Sequence, residues 1–530
     1  MEAWDVVVIG SGVAALRAAI AASDGNATVT ILSSQAISSS SDSTINCGFS
    51  IPMSEPNHSM FTSDTIRVGS ELCEADVLTS TSSTAVEHLA ELERWGLNLR
   101  REGNGLPHLG KLPGQSAPRT ASTGDSTVEE MLLILQEQTM KRRIPHRGDV
   151  EILDIVLTEG GSRGLIAMDI QSGELFAIQS KAIILADSGF EGAWNGDGVG
   201  MGTSAGLALQ CALPLVDLEF TSMHPLTVSE IGLHISLDVL GAGAIVTGND
   251  GTALSTEEGP DSLARAIVAA GGATLDLTPI STTDRPWFEK TFSSLLTRSG
   301  IDGSVELIPI MPMVTATIGG IPISSNGQVI NQDWSTQILG LFAAGDSACS
   351  GLHGASINSG DRILSSITSG AIAGATAADY AATSKFSKSN IISMALSQAH
   401  HAHDETLSSA GEGGVSPGII LQSLSTTMQT HMGSERNAKG LESAAAAIQE
   451  LSSVKINISD RNPVMNTEMV ALIRTQRLLS VASAAVSSAI ARKESRGSHI
   501  RTDFPDLDSK QTHHTLVHQD GRTESLSLRN

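Results

Sequence analysis

The opening residues constrain this chain more than any other stretch. Val6–Ile9 is wholly apolar, as in a strand buried on both faces of a parallel sheet. Gly10-Ser11-Gly12-Val13-Ala14-Ala15 follows, then Val13–Ala22, helical by composition, and a second buried strand at Thr28–Leu32. A strand, a Gly turn, a helix and a strand within about 30 residues form a dinucleotide-binding unit. Gly10 permits the tight turn, Gly12 lets the backbone approach a pyrophosphate, and Ala15 allows close packing of helix on sheet. The helix N-terminus then offers Ser11 and its neighbours to phosphate. The acidic residue that would hold a ribose at the end of the second strand is missing. Ser33-Ser34 stand there instead, which counts against an ordinary NAD site.

Composition fits a large α/β enzyme. The chain has 530 residues, 40% of them hydrophobic, with 51 Gly and 17 Pro. The formal charge is −24 and aromatic residues are 3%, which argues against nucleic-acid binding. Cys47, Cys73, Cys211 and Cys349 form no CxxC pair, so neither a metal or iron–sulfur ligand set nor a disulfide framework is expected. Met1–Asp5 has no basic n-region, and no run of about 18 apolar residues is present. A cytoplasmic chain with no direct membrane span is expected.

Further strands are expected at Ala182–Leu185, Leu215–Pro225 and Leu339–Ala344, and helices over Thr84–Trp95, Ser126–Arg143, Gly196–Ala212 and Ile363–Ala378. A long helical tract runs from Ser387 to about 494. Ser38–Thr44, small and polar, reads as a solvated loop or as one facing a phosphate.

Six blocks in order along the chain resemble the flavoprotein subunit of succinate dehydrogenase and fumarate reductase, a family that includes L-aspartate oxidase. They are Asp5–Ile20, Gly196-Asp197-Gly198, Glu219–Pro225 (EFTSMHP), Ile318–Pro322 (IGGIP), Gly340–Ala355 (GLFAAGDSACSGLHGA) and Ser495–Asp508 (SRGSHIRTDFPDLD). The last is closer to the succinate dehydrogenase and fumarate reductase branch. The resemblance implies an α/β fold: a Rossmann-like FAD-binding domain over 1–222 and 330–385, an inserted α+β capping domain over 223–329, and a C-terminal helical domain over 386–530.

By the same resemblance, Gly10, Ser11, Gly12 and Ala15 meet the FAD pyrophosphate and Ser33 and Ser34 flank the adenosine. Asn46 and Gly48 stand beside the isoalloxazine ring, and Asp197 contacts the cofactor. Gly345 and Asp346 stand at the family's Gly-Glu, where the carboxylate accepts from ribityl or ribose hydroxyls. Arg362 and Ile363 replace a Ser-Leu pair at the flavin's pyrimidine end. Ser41 occupies the position from which some members attach FAD through a His, so FAD is expected to be noncovalent.

The dicarboxylate site departs from the family. His224 retains one of its two substrate histidines, and Ser236 the hydroxyl of its relay segment. Thr315 replaces the second histidine, Ile357 the clamping arginine and Pro260 the proton-donor arginine. Leu237 and Leu240 replace the relay Glu and Arg. Arg265 is the nearest candidate substitute, with Arg285 and Arg298 also nearby. Three functions are compatible: an oxidoreductase of the family type on a small organic acid, acting with a separate iron–sulfur subunit of a membrane-associated complex at the inner face; an FAD oxidoreductase on a less anionic substrate; or a non-catalytic flavin-binding paralogue. L-aspartate oxidase activity is a variant of the first.

Overall fold

The computed structural model describes residues 2–35, 47–196, 198–331 and 333–529. Ser38–Thr44, Asn46 and Asp197 therefore lie outside the described residues. The strand Glu2–Ile9, the helix Val13–Asp24 and the strand Val29–Leu32 form the expected opening unit. They belong to an eight-stranded sheet. Besides the two-residue strand His146–Arg147 beside Val29–Leu32, four of its strands run parallel, with Glu2–Ile9 between Val29–Leu32 and Leu175–Leu185, and Gln337–Ala343 outside the latter. Ile9 pairs with Leu32 and Leu185, and Leu185 pairs with Ala343, so all four strands end at one level. The crevice beyond those carboxyl ends is where open α/β sheets bind ligands.

Leu175–Leu185 is longer than its apolar end suggests. Its first half pairs antiparallel with Gly161–Asp169, which extends the sheet as a hairpin with Val150–Thr158. The small-residue helix spans Asp361–Thr383 and lies against Val13–Asp24. A Cβ on Gly374 would sit 2.2 Å from the Ala18 carbonyl oxygen, so the two helix backbones touch there and glycine is required.

The strands Thr221–His224 and Met313–Thr317 pair antiparallel, and the inserted residues between them form the cap. The cap has its own apolar core, including Leu226, Ile235, Leu263, Ile267, Leu275 and Ile308. After it, Gln328–Ile330 pairs with Gln337–Ala343 in the main sheet. Leu215–Pro225, expected as one strand, is two short ones, Leu215–Val216 and Thr221–His224.

The C-terminal tract divides into Ser389–Ser408, Pro417–His431, Ala438–Ser453 and Thr467–Ala491. The last helix is long and apolar enough to cross a bilayer by length and composition. Its apolar residues, among them Leu478, Val481, Ala485 and Val486, are packed into the main hydrophobic core. The chain then adds an unanticipated hairpin, His514–Val517 with Thr523–Leu526, which pairs onto Leu215–Val216 of the main domain.

The EFTSMHP and SRGSHIRTDFPDLD blocks meet in the fold and hold this junction together. Glu219, fully buried, accepts from Arg492 Nε at 2.6 Å and Thr515 Oγ1 at 2.8 Å. Glu494, also buried, joins Arg492 at 3.0 Å to Arg496 at 2.7 Å. Each buried charge here has an opposite charge and further hydrogen bonds, the condition under which such groups are tolerated in an interior.

Candidate active site

The crevice begins at Gly10. Its φ is +129°, and a Cβ there would lie 2.1 Å from the Ala186 carbonyl oxygen, so the turn demands glycine. Gly12 is the N-cap of Val13–Asp24 and supplies no side-chain cap, which leaves that helix end suited to an anion. Ala15 is fully buried in the layer between helix and sheet, and Ser11 is nearly so. At the end of the second strand, Ser33 Oγ donates to the Gln35 carbonyl at 2.9 Å and lies 3.1 Å from His146 Nε2. The Ser34 carbonyl accepts from Arg474 Nη2 at 3.2 Å. Arg474 comes from the last long helix and is held by buried Glu151 at 2.9 Å. Sequence order gave no signal for this reach, because 440 residues separate the partners.

At the other end, Gly48 N donates to Asp238 Oδ2 at 2.8 Å. A Cβ on Gly48 would lie 2.3 Å from the Ala121 carbonyl oxygen. Asp238 also accepts from Ser236 Oγ at 2.9 Å, and burial pushes its carboxyl up to about 6. Ser236 is therefore a positioning residue: it supports the carboxylate that tethers Gly48 and does not line the cavity described below. Asp238 stands where the family's relay segment has glycine, and its role was not legible from the sequence.

Asp346 does not stand ready for hydroxyl donors in the way the sequence suggested. Its carboxylate takes Arg362 Nε at 3.1 and 3.0 Å and also Arg362 Nη2. Arg362 Nη1 is 3.4 Å from the Thr315 carbonyl. Ile363 is fully buried in the apolar layer under the sheet, so its side chain serves the core. Gly345, at φ +65°, donates its N–H to Ser369 Oγ at 3.0 Å. Buried Glu191 is pushed up to about 7 by burial, with Arg362 opposing, and its Oε2 has no partner among the described residues. His353 Nδ1 is likewise buried without a partner among those residues. The glycine turn and these unsatisfied polar atoms fit a long polar cofactor. FAD, when bound, supplies hydride transfer; Gly10–Gly12, Ser33 and Ser34 would hold its nucleotide end and Gly48 its ring end.

Next to Arg362 is a small cavity that opens to solvent. His224, Leu237, Pro260, Thr315, Ile357 and Arg362 line it, with Cys47, Ser222 and Asn358. Four of the five substituted family positions thus surround one space. The fifth, Leu240, packs against the cap core. Arg265, expected as a substitute proton donor, does not line this cavity; its Nη1 donates to the Gly497 carbonyl at 3.1 Å. Arg285 and Arg298 donate to carbonyls at Ile280 and Ile231. Pro260 opens its helix, where a proline fits because the first N–H is unpaired in any helix. The next residue, Asp261, accepts from Ser222 Oγ, Met223 N and Ser356 Oγ at 3.1, 2.8 and 2.6 Å. His224 Nε2 is 2.8 Å from the Ile235 carbonyl. Burial, with His234 and Arg362 adding to it, holds its imidazole down at about 3.

Comparison with known proteins agrees with this architecture. The FAD binding domain family matches residues 5–362, and the fumarate reductase flavoprotein C-terminal family matches residues 421–530. The chain is 29% identical to the fumarate reductase flavoprotein subunit of Mycobacterium tuberculosis, over 97% of this chain and 95% of that one. It is 27% identical to the succinate dehydrogenase flavoprotein subunit of Rickettsia bellii, over 97% and 92% of the two. A solved chain of Escherichia coli quinol fumarate reductase superposes with a TM-score of 0.92 at 25% identity, covering 100% of this chain and 98% of that one. The chain belongs to the succinate dehydrogenase/fumarate reductase flavoprotein family and is an FAD-dependent oxidoreductase.

Proposed function

We propose that this oxidoreductase exchanges hydride between FAD and a small organic acid carrying a single carboxylate, in place of a dicarboxylate. The observation that carries this reading is the cavity wall. Thr315, Ile357, Pro260 and Leu237 line it, and Arg362, which lines it too, already has Asp346 as a partner. A dicarboxylate there would leave one carboxylate against apolar groups, and burying an unpaired charge is costly. A charge-assisted contact contributes about 1.5–3 kcal/mol, so losing two such ligands weakens a dicarboxylate by about two to four decades. The naming of the relatives as flavoprotein subunits supports a partner subunit; the partner we propose is an iron–sulfur protein of a membrane-associated complex, with this chain on the cytoplasmic face.

The test is a titration of the FAD-loaded protein, followed by flavin absorbance, with fumarate, succinate, L-aspartate and small monocarboxylates. Turnover with a reduced dye follows. Micromolar fumarate affinity with turnover of tens per second would refute the reading and restore the family activity. A flavin that dithionite reduces but that no acid in the panel reoxidises would instead favour a non-catalytic flavoprotein.

A further inference from the structure

The hydrogen-bonding polarity of the cavity specifies the acid further. His224 lines it, and His224 Nε2 is 2.8 Å from the Ile235 carbonyl oxygen. A carbonyl has no proton to give, so Nε2 carries the imidazole proton and Nδ1 is a bare lone pair. Among the described residues Nδ1 has no hydrogen-bond partner. The histidine therefore accepts and does not donate. It remains so at neutral pH, because burial, with His234 and Arg362 adding to it, holds it at about 3. A carboxylate offered to Nδ1 meets lone pair against lone pair. A hydroxyl or amino group offers it a proton.

The main domain contributes the opposite polarity. Arg362 is oriented by Asp346 through Nε and Nη2 and by the Thr315 carbonyl through Nη1. Asn358 lines the same cavity. Its Oδ1 accepts from Ser359 N at 3.0 Å, which fixes the amide's orientation, and its Nδ2 has no partner among the described residues. Donors thus come from the loop and first turn before Ile363, the acceptor comes from the strand Thr221–His224, and Ile357, Leu237 and Pro260 supply apolar surface.

We propose that this cavity binds a small monocarboxylate that carries a hydroxyl or amino donor beside its carboxylate, with Arg362 holding the carboxylate and His224 Nδ1 accepting from the donor. This rests on the single-carboxylate reading above. Arg362 and His224 are the specificity-determining residues, and Asp346 is a positioning residue acting through Arg362.

Lactate, alanine, propionate and succinate test it as ligands of the FAD-loaded protein. The readouts are flavin absorbance and the shift in unfolding temperature. Lactate or alanine is expected to bind about tenfold tighter than propionate, the difference one buried hydrogen bond makes. His224→Phe is expected to bring the lactate-to-propionate ratio to about one. Arg362→Met is expected to weaken both ligands when compared at equal bound flavin. Equal binding of lactate and propionate by the unaltered protein overturns the donor assignment and leaves the single-carboxylate reading standing. Succinate binding tighter than lactate overturns that reading itself. Failure of all four to bind overturns both. The ratio in the unaltered protein decides the matter even if a variant does not fold.

Discussion

Replacing His514 with Gln is expected to release the C-terminal hairpin from the main domain. His514 is buried between two carboxylates, with Nδ1 2.5 Å from Asp217 Oδ2 and Nε2 3.0 Å from Glu74 Oε1. Asp217 also accepts from Thr515 N at 2.9 Å, and Glu74 from Arg529 N at 2.9 Å. Although burial opposes the charge, the two carboxylates raise the imidazole from 6.5 to about 9. At about 1.4 kcal/mol per pK unit, that is roughly 3 kcal/mol of stability from the charged form. Because the folded value is the higher one, the contribution is complete below about pH 6.5 and is lost as pH rises through about 9. A glutamine carries no charge and would leave two buried carboxylates facing each other, a loss in the range of about 3–5 kcal/mol. The assay is hydrogen exchange at the Thr515, Leu516 and Val517 amides, corrected for intrinsic rate. His514→Gln should reduce their protection about a hundredfold or more at pH 7. The unaltered protein should lose protection between pH 7 and 10 while the variant shows a flat profile. Protection within tenfold of the unaltered protein at pH 7, or parallel pH profiles, would refute the reasoning.

Three further outcomes are expected. Gly10→Val places a side chain 2.1 Å from the Ala186 carbonyl oxygen at a left-handed φ, and should abolish FAD retention; a flavin-to-protein ratio near one after gel filtration would contradict this. Acid precipitation should release the flavin into the supernatant, because Ser41 cannot form the histidyl bond; colour remaining in the pellet would show a covalent link. Asp238→Ala removes the acceptor for Gly48 N and should speed FAD release about tenfold at pH 7, measured by stopped-flow transfer to an apo-flavoprotein. Since Asp238 is raised from 3.8 to about 6 in the fold, its ionisation as pH rises through that value costs the unaltered protein stability that the variant does not lose, and the variant's overall stability should fall less at pH 8 than at pH 5.

Local sequence determined the parts of this protein whose physics is local. Val6–Ile9, Gly10-Ser11-Gly12 and the small-residue helix fix a strand, a turn and a helix that can pack one way, because a buried parallel strand must be apolar throughout and a phosphate turn must lack Cβ atoms. The positions Thr315, Ile357, Pro260 and Leu237, scattered over about 120 residues of sequence, could be singled out only through the blocks that resemble the family; periodicity says nothing of them. Tertiary structure decided the rest. It brought those four to one cavity wall and turned Arg265 to the Gly497 carbonyl. It paired Arg362 with Asp346, and placed Asp238 on Gly48 across 190 residues of chain. It also set the tautomer of His224, through the carbonyl of Ile235, just past the strand Leu233–His234. Side-chain partners of this kind depend on which elements the whole fold brings together. A charged or polar group carries its chemistry in the sequence, but what it can donate, accept or neutralise is fixed by the neighbours that burial leaves it.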